Sequence, residues 1–348
     1  MKYLLLLLVV SYHTATAQYP TDNDPYLTKS LSADNIQKVK VETSGGSISV
    51  SGVPASEARI EVFIWQGNRR KTDRPSKEEI KKILDENYDM DISVAGNKLT
   101  ATAKRKRNGD RWDNSNSLSI SFKVYVPKNV STDLLTSGGS ISLSDLNGTQ
   151  DFTTSGGSLH VDKLSGHTTG TTSGGSIYVS NSKDDIDLTT SGGSIEAKNS
   201  SGNIKLTTSG GSLHLSELKG DIKATTSGGS VHGNTIQGAL IASTSGGSVI
   251  LKELSCSVDA STSGGNISVN IKELGAYVKI SNSSGNIDLQ LPGGKGLDLK
   301  LTADKIRTSS LTNFSGKVED DRIEGKLNNG GVPVTVRGGS GRLSLSFQ

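Results

Sequence analysis

The chain of 348 residues has one cysteine, seven prolines, two tryptophans and 4% aromatic residues. Each shortage excludes something. Cys256, standing alone, cannot close an intramolecular disulfide, so stability has to come from packing and backbone pairing. So few large rings, with only 32% hydrophobic residues, exclude a thick globular core and favour a thin, elongated one lined by Ile, Leu and Val. After the first residues no run approaches the roughly 20 apolar residues of a membrane-spanning helix. Charge of one sign is also missing. Without Lys2, which lies in the leader described next, 37 basic residues (38 − 1) face 35 acidic ones, a balance that excludes bulk nucleic-acid binding.

Residues 1–17 read as a signal peptide. "MKYLLLLLVVSYHTATAQ" has Lys2, an apolar run from Leu4 to Val10 and a small-x-small site at Ala15–Ala17, with cleavage expected after Ala17. The run is too short for a stable anchor, and no cysteine follows it to carry a lipid. The protein is expected in the periplasm, on the outer surface or secreted, touching the envelope only peripherally.

Glycine is plentiful, at 41 residues, and it is periodic. "TSGG" begins at Thr136, Thr154, Thr172, Thr190, Thr208, Thr226, Thr244 and Thr262, with a spacing of 18 throughout. An outlying copy begins at Thr43, and a degenerate "NSSG" begins at Asn282, two residues late. Inside this period lies a grid of nine, held by Gly139, Gly148, Gly157, Gly166 and later glycines, with Asp184 and Cys256 at two of the missing points. Glycine at such corners permits positive φ and close approach of neighbouring backbones. Between corners the apolar residues alternate with period 2, the mark of strands.

Stacking turns of 18 residues brings like onto like. Leu159, Ile177, Ile195, Leu213, Val231 and Val249 fall in one inward column, Ile186, Ile204, Ile222, Leu240 and Val258 in another, and Leu146, Leu164, Leu218, Ile236 and Leu254 in a third. A repeat of this kind predicts a solenoid, because each unit buries its apolar face only against its neighbours. The left-handed six-residue repeat also uses 18 residues per turn, but from Ile177 it would put Lys183 and Thr189 inside. The expected fold is all-β: a parallel β-solenoid, right-handed by the general rule for parallel crossovers. Rungs from Thr136 to Leu291 would make a rod roughly 40 Å long. One Thr of each "TTSGGS" pair is expected to face outward and the other inward or into the bend, with Thr154, Thr172, Thr190, Thr208, Thr226, Thr244 and Thr262 forming a ladder of hydroxyls that bond to one another or to freed backbone groups.

Exposed ends of a solenoid need caps. Residues 18–38 read as a flexible polar lead and 39–134 as first rungs plus a mixed α/β cap. Within that cap, 39–52 and 58–65 resemble rungs, a helix falls near 76–88 behind the capping pair Ser76 and Glu79, and strands follow at roughly 90–106 and 117–126. Residues 135–291 are the regular repeats, and 292–348 are irregular rungs with a C-terminal cap.

No motif carries catalysis. The "SGGS" corners lack the lysine of a phosphate loop and lead into strands, not helices. His160, Tyr178, Glu196, His214 and His232 share one position after the corner glycine and should stack as one outward column. His214 and His232 could share a metal, although Ser142, Ile250 and Ser268 continue the column and mark it as a tolerant exposed surface. Asp184, Asp185 and Asp187 form the densest acidic cluster, with Lys205 and Lys223 placed to compensate for it. Lys104, Arg105, Lys106 and Arg107 lie in "AKRKRNGDRW", a charged hairpin tip that could meet an anionic polymer. The outward Thr rows lack the uniform face of an ice binder, since Asp, Lys, His and Asn interrupt the neighbouring columns. No catalytic residue, cofactor or metal ligand is assigned.

The "VKVETSGGSISVSG" of 39–52, the "VYVPKNVSTDLLTSGGSISL" that ends at 143 and the "TTSGGS" ladder behind it resemble the bacterial putative-adhesin β-strand-repeat family of unknown function, related to the GIN-domain head of putative autotransporter adhesins. The resemblance covers roughly 39–290 and implies an exported envelope solenoid with no catalytic motif to carry over. The expected function is a non-catalytic, adhesin-like scaffold that binds a surface glycan or protein through repeated polar columns. Alternatives are an envelope-stress or regulatory protein-interaction module acting through a cap, and a polysaccharide-active β-helix enzyme.

Overall fold

A computed structural model describes residues 24–66, 76–106 and 117–348. Backbone pairing follows the 18-residue period. Leu159–Asp162 pairs in parallel with Ile141–Ser144 on one side and Ile177–Ser180 on the other. Ser165–Thr172 pairs in parallel with Asn147–Thr154 and Lys183–Thr190. Each turn thus supplies one short and one long strand, and in the described pairings these two bond to neighbouring turns, never to each other. The result is a parallel β-solenoid.

The inward columns form one continuous core. Leu159, Ile177, Ile195, Leu213, Val231 and Val249 are completely buried, facing the Ile186–Val258 column of the long strands. Burying one such side chain stabilises by about 1.5–3 kcal/mol, and the stack repeats this gain rung after rung. Ser182 and Ser200 replace apolar residues in the third column. Their hydroxyls donate to the carbonyls of Ser180 and Lys198, so both stay satisfied while buried.

One buried hydroxyl is not satisfied. Thr132, Gln150 and Thr168 occupy an inward column of the long strands that continues as Ile186 and Ile204. Thr132 donates to Gln150 Oε1 at 2.7 Å, and Gln150 Nε2 donates to the Val130 carbonyl at 2.8 Å. Thr168 Oγ1 is buried with no partner. Thr168→Val keeps the shape and removes the stranded hydroxyl. It should raise the unfolding free energy by about 1–2 kcal/mol in a denaturant titration; a loss of stability would count against the assignment.

The corners explain the repeated letters. Thr190 Oγ1 donates to the Gly175 carbonyl at 2.8 Å and accepts the Gly193 N–H at 3.3 Å. The same two bonds recur at Thr154, Thr172, Thr208, Thr226, Thr244 and Thr262. Of the two expected partners, the hydroxyls therefore choose the backbone. Corner glycines divide by role. A Cβ on Gly175 would stand 2.0 Å from the Gly157 carbonyl oxygen, so this half of the grid needs close approach. In the other half, Gly202 has φ +118°, which needs a residue without a Cβ. Asp184 takes that second position at φ 77°, and its Oδ2 accepts the Gly166 N–H at 2.9 Å.

The ends are built by insertion. The rung Lys38–Thr43 plus Ile48–Gly52 lies between Lys98–Arg105 with Leu118–Val126 and Ser131–Thr136 with Ile141–Ser144. At the other end, Val332–Ser340 with Arg342–Phe347, the last rung in sequence, lies between the 278–291 rung and Leu297–Thr302 with Lys305–Thr308. Counting the strand pairs in spatial order gives thirteen rungs, about 60 Å at the usual strand spacing. Antiparallel strands close both ends: Tyr88–Ala95 and Arg59–Gln66 at one, Arg322–Leu327 and Phe314–Val318 at the other. The helix Lys77–Asn87 has the full capping box between Ser76 and Glu79 and packs against Tyr88–Ala95.

Two sequence expectations are corrected. The described part of the flexible lead is ordered into the sheet: Leu27–Ser30 pairs antiparallel with Arg59–Gln66, and Leu31 and Ile36 are buried. These two side chains close the apolar end of the core, which the polar composition around them conceals. The "ARIEVFIW" stretch is also not a rung. It pairs antiparallel with Leu118–Val126 as part of the end closure. The leader lies outside the described residues.

Candidate binding surface

The outward column of the short strands is assembled in register. His160 pairs with Tyr178, Tyr178 with Glu196, Glu196 with His214, and His214 with His232. Rung spacing puts the rings face to face. His160 and Tyr178 stack with centroids 5.0 Å apart and planes 7° from parallel, and His214 and His232 with centroids 5.1 Å apart and planes 6° from parallel. Their faces therefore cover each other along the rod, and their edges meet solvent. Tyr178 has His160 on one face and Glu196 beyond the other, so this column presents hydrogen-bonding edges rather than a platform for stacking a sugar ring.

The same geometry bears on the metal reading. Ring nitrogens of parallel, stacked imidazoles point in parallel directions, not toward one shared ion. Among the described residues no group of three or more His, Cys, Asp or Glu is placed to hold a metal.

Stacking has an electrostatic consequence. Burial, and then the neighbouring His214, push the His232 pKa below its ordinary value of 6.5. A lowered pKa means the unfolded chain binds more protons than the folded one in that window. Stability is therefore complete above pH 6.5 and falls as the pH drops below it. His232→Asn should flatten the decline in melting temperature between about pH 7 and about pH 5.5. Parallel declines in the variant and the parent would contradict this.

Next to this column runs a second polar one. Burial raises the Asp162 pKa, but hydrogen bonds from Asn181 and Ser180, with Lys163 close by, outweigh it and hold the carboxyl below its ordinary value. Glu196 pairs with Lys198 on the same strand. On the long-strand face, Lys205 Nζ reaches Asp187 Oδ2 at 2.8 Å and His167 Nδ1 lies 3.9 Å from Asp185 Oδ2. Together with the backbone bond of Asp184, every member of the acidic cluster already has a neighbour.

The basic stretch is in a different place. Lys104 and Arg105 end the strand Lys98–Arg105 near the N-terminal closure, in the stack of long strands rather than the short-strand stack that carries the histidine column. Lys104 Nζ pairs with Glu42 at 2.9 Å. Lys106 Nζ donates to the Asp85 carbonyl at 2.7 Å and lies 3.7 Å from Asp89. The Arg105 N–H donates to Ser44 Oγ at 3.2 Å. Arg107 and the "NG" turn lie outside the described residues. The structure does not bring the two groups of candidates together.

Cys256 is inert by placement. It is buried where other rungs have a corner glycine, and burial raises its thiol pKa to about 12. The repeat breaks beside it. Cys256 and Val258 pair with Leu274 and Val278, so the next rung carries two extra residues. This is why "NSSG" comes late, and Asn282 then takes over the ladder, donating from Nδ2 to the Gly265 carbonyl at 3.0 Å.

Residues 62–346 match the Toastrack DUF4097 family. The chain belongs to that family. The Toastrack match includes the whole histidine column, Lys104–Lys106 and every regular rung, while the inserted rung at 38–52 precedes it. No curated protein matches the chain. A crystal structure of a putative cell adhesion protein from Clostridium sporogenes ATCC 15579 is similar over 92% of this chain and 98% of that one, at 13% identity and a TM-score of 0.19. A likeness at that score supports nothing further. Among the described residues no helix is long and apolar enough to cross a membrane.

Proposed function

We propose that this Toastrack protein is an exported, non-catalytic, adhesin-like scaffold of the bacterial envelope. It would hold a surface glycan or protein through polar columns repeated along a rigid rod. The observation that carries this reading is the register: Ser142, His160, Tyr178, Glu196, His214, His232 and Ile250 stand one per rung on one face. Such an array favours many weak contacts whose sum grows with length. Catalysis is not part of the proposal. The carboxylates of the best acidic cluster are already engaged by a lysine, a histidine and a backbone N–H, so none is left as an obvious acid–base pair.

Rung deletion tests the column. Removing residues 191–208, or 191–226, takes out one or two whole 18-residue units and keeps the corner sequence in phase. Binding of the purified protein to a glycan array and to whole cells should fall in steps with the number of rungs lost. Unchanged binding would move the contact to a cap, as the regulatory-module alternative requires. Release of soluble sugar from a polysaccharide panel would instead support an enzyme.

A further inference from the structure

The outward column beside the corners carries hydroxyls on successive rungs: Thr171, Thr189, Thr207, Thr225, Ser243, Ser261 and Ser281. At the next rung in space the column changes chemistry, because Arg337 pairs in register with Ser281. Arg337 lies on the inserted C-terminal rung, and its other in-register neighbour is Thr302, so both neighbours are neutral. Among the described residues no carboxylate lies within ion-pair distance of it and no hydrogen bond engages its guanidinium. Arg59 and Arg322, by contrast, each sit on a glutamate.

The same rung lacks corner side chains. Gly338 faces Asn282 where the ladder would have a threonine, and a Cβ on Gly339 would stand 2.2 Å from the Ser283 carbonyl. A groove of about 580 Å³ runs along this corner. Arg337, Ser263, Ser281 and Ser283 line it, Ser281 directly beside Arg337, and no Asp or Glu does. None of these three serine hydroxyls makes a hydrogen bond within the described chain. A planar guanidinium is suited to two-point recognition of a carboxylate, and free hydroxyls are suited to the hydroxyls of a sugar. The volume is in the range of small-ligand sites.

We infer that the Arg337 groove binds a carboxylate-bearing sugar, a uronate residue of an acidic polysaccharide. The guanidinium takes the carboxylate and the neighbouring serine hydroxyls take the ring hydroxyls. The assignment deepens the scaffold proposal by naming a ligand class, but it rests on a corner of the solenoid that the 191–208 deletion leaves in place. The two can therefore fail separately.

Calorimetric titration of the purified protein with trigalacturonate, maltotriose and acetate tests the assignment. Trigalacturonate should bind at one site per chain, at least about tenfold more tightly than either control, and Arg337→Gln should weaken it by about tenfold or more with the melting temperature unchanged. Arg337→Lys should recover only part of the loss, since a point charge lacks the fork. Four results would overturn the assignment: no binding, equal binding of maltotriose, equal binding of acetate, or full affinity in a folded Arg337→Gln protein. Graded loss of adhesion on rung deletion alongside any of them would leave the column proposal standing.

Discussion

Gly175→Ala is expected to lower the unfolding free energy by at least about 3 kcal/mol, while Gly174→Ala, one residue earlier in the same corner, should change it by less than about 1 kcal/mol. The two glycines differ in what a side chain would meet. A Cβ on Gly175 would stand 2.0 Å from the Gly157 carbonyl oxygen and 2.4 Å from its carbon, both backbone atoms of the preceding rung. No side-chain rotamer can relieve such a contact, so either the rungs separate or the corner rebuilds. On Gly174 the nearest atoms are the carbonyl oxygens of Gly156 and Ser155 at 3.7 Å, an ordinary contact. Neither glycine has a left-handed φ, so the difference isolates steric approach from conformational freedom. Denaturant titration of the two variants against the parent reads the result. Equal effects would mean that the corner is looser than its spacing indicates.

The same contrast shows how much of this fold can be read from the letters. A residue that each rung needs recurs once per rung, so the glycine grid, the inward columns and the ladder threonines are all visible as arithmetic. The histidine column is visible too, because position alone fixes its neighbours; the near-parallel stacking of the rings follows from rung spacing. A third corner is not visible. Asp145, Lys163, Asn181, Asn199, Glu217, Thr235 and Glu253 lie 18 residues apart, and all have φ between 47° and 57°. Asn and Asp tolerate that left-handed region, while Lys, Glu and the β-branched Thr235 do not favour it, so no common chemistry marks the column. Here the stack imposes the backbone against local preference.

The ends fail to read for a different reason. Insertion of the first and last rungs between their neighbours depends on contacts remote in sequence, such as Ile48 with Phe122 and Val278 with Val334. Periodicity reports only what repeats along the chain, and these pairings do not. Arg337 was hidden in the same way. It lies in the segment without rhythm, and only the pairing with Ser281 puts it at the end of the hydroxyl column.

Thr208→Val is expected to cost about 2–4 kcal/mol, although valine matches threonine in shape and is more apolar. Thr208 is buried; its hydroxyl donates to the Gly193 carbonyl at 2.8 Å and accepts the Gly211 N–H at 3.3 Å. Valine takes away a partner from both groups inside a corner that water cannot enter freely. Thr208→Ser keeps the hydroxyl and loses one methyl, so it should cost only about 1 kcal/mol. The chain itself supplies a comparison at Asn282, where an amide replaces the hydroxyl and still reaches the carbonyl of the preceding rung. Because each rung touches only its neighbours, the damage should remain local. Amide exchange is expected to quicken at Gly211 and the adjoining corner while Gly157, three rungs away, keeps its protection. If valine proves no worse than serine, the hydroxyl ladder contributes packing alone. The repeated threonine would then be explained by its methyl group.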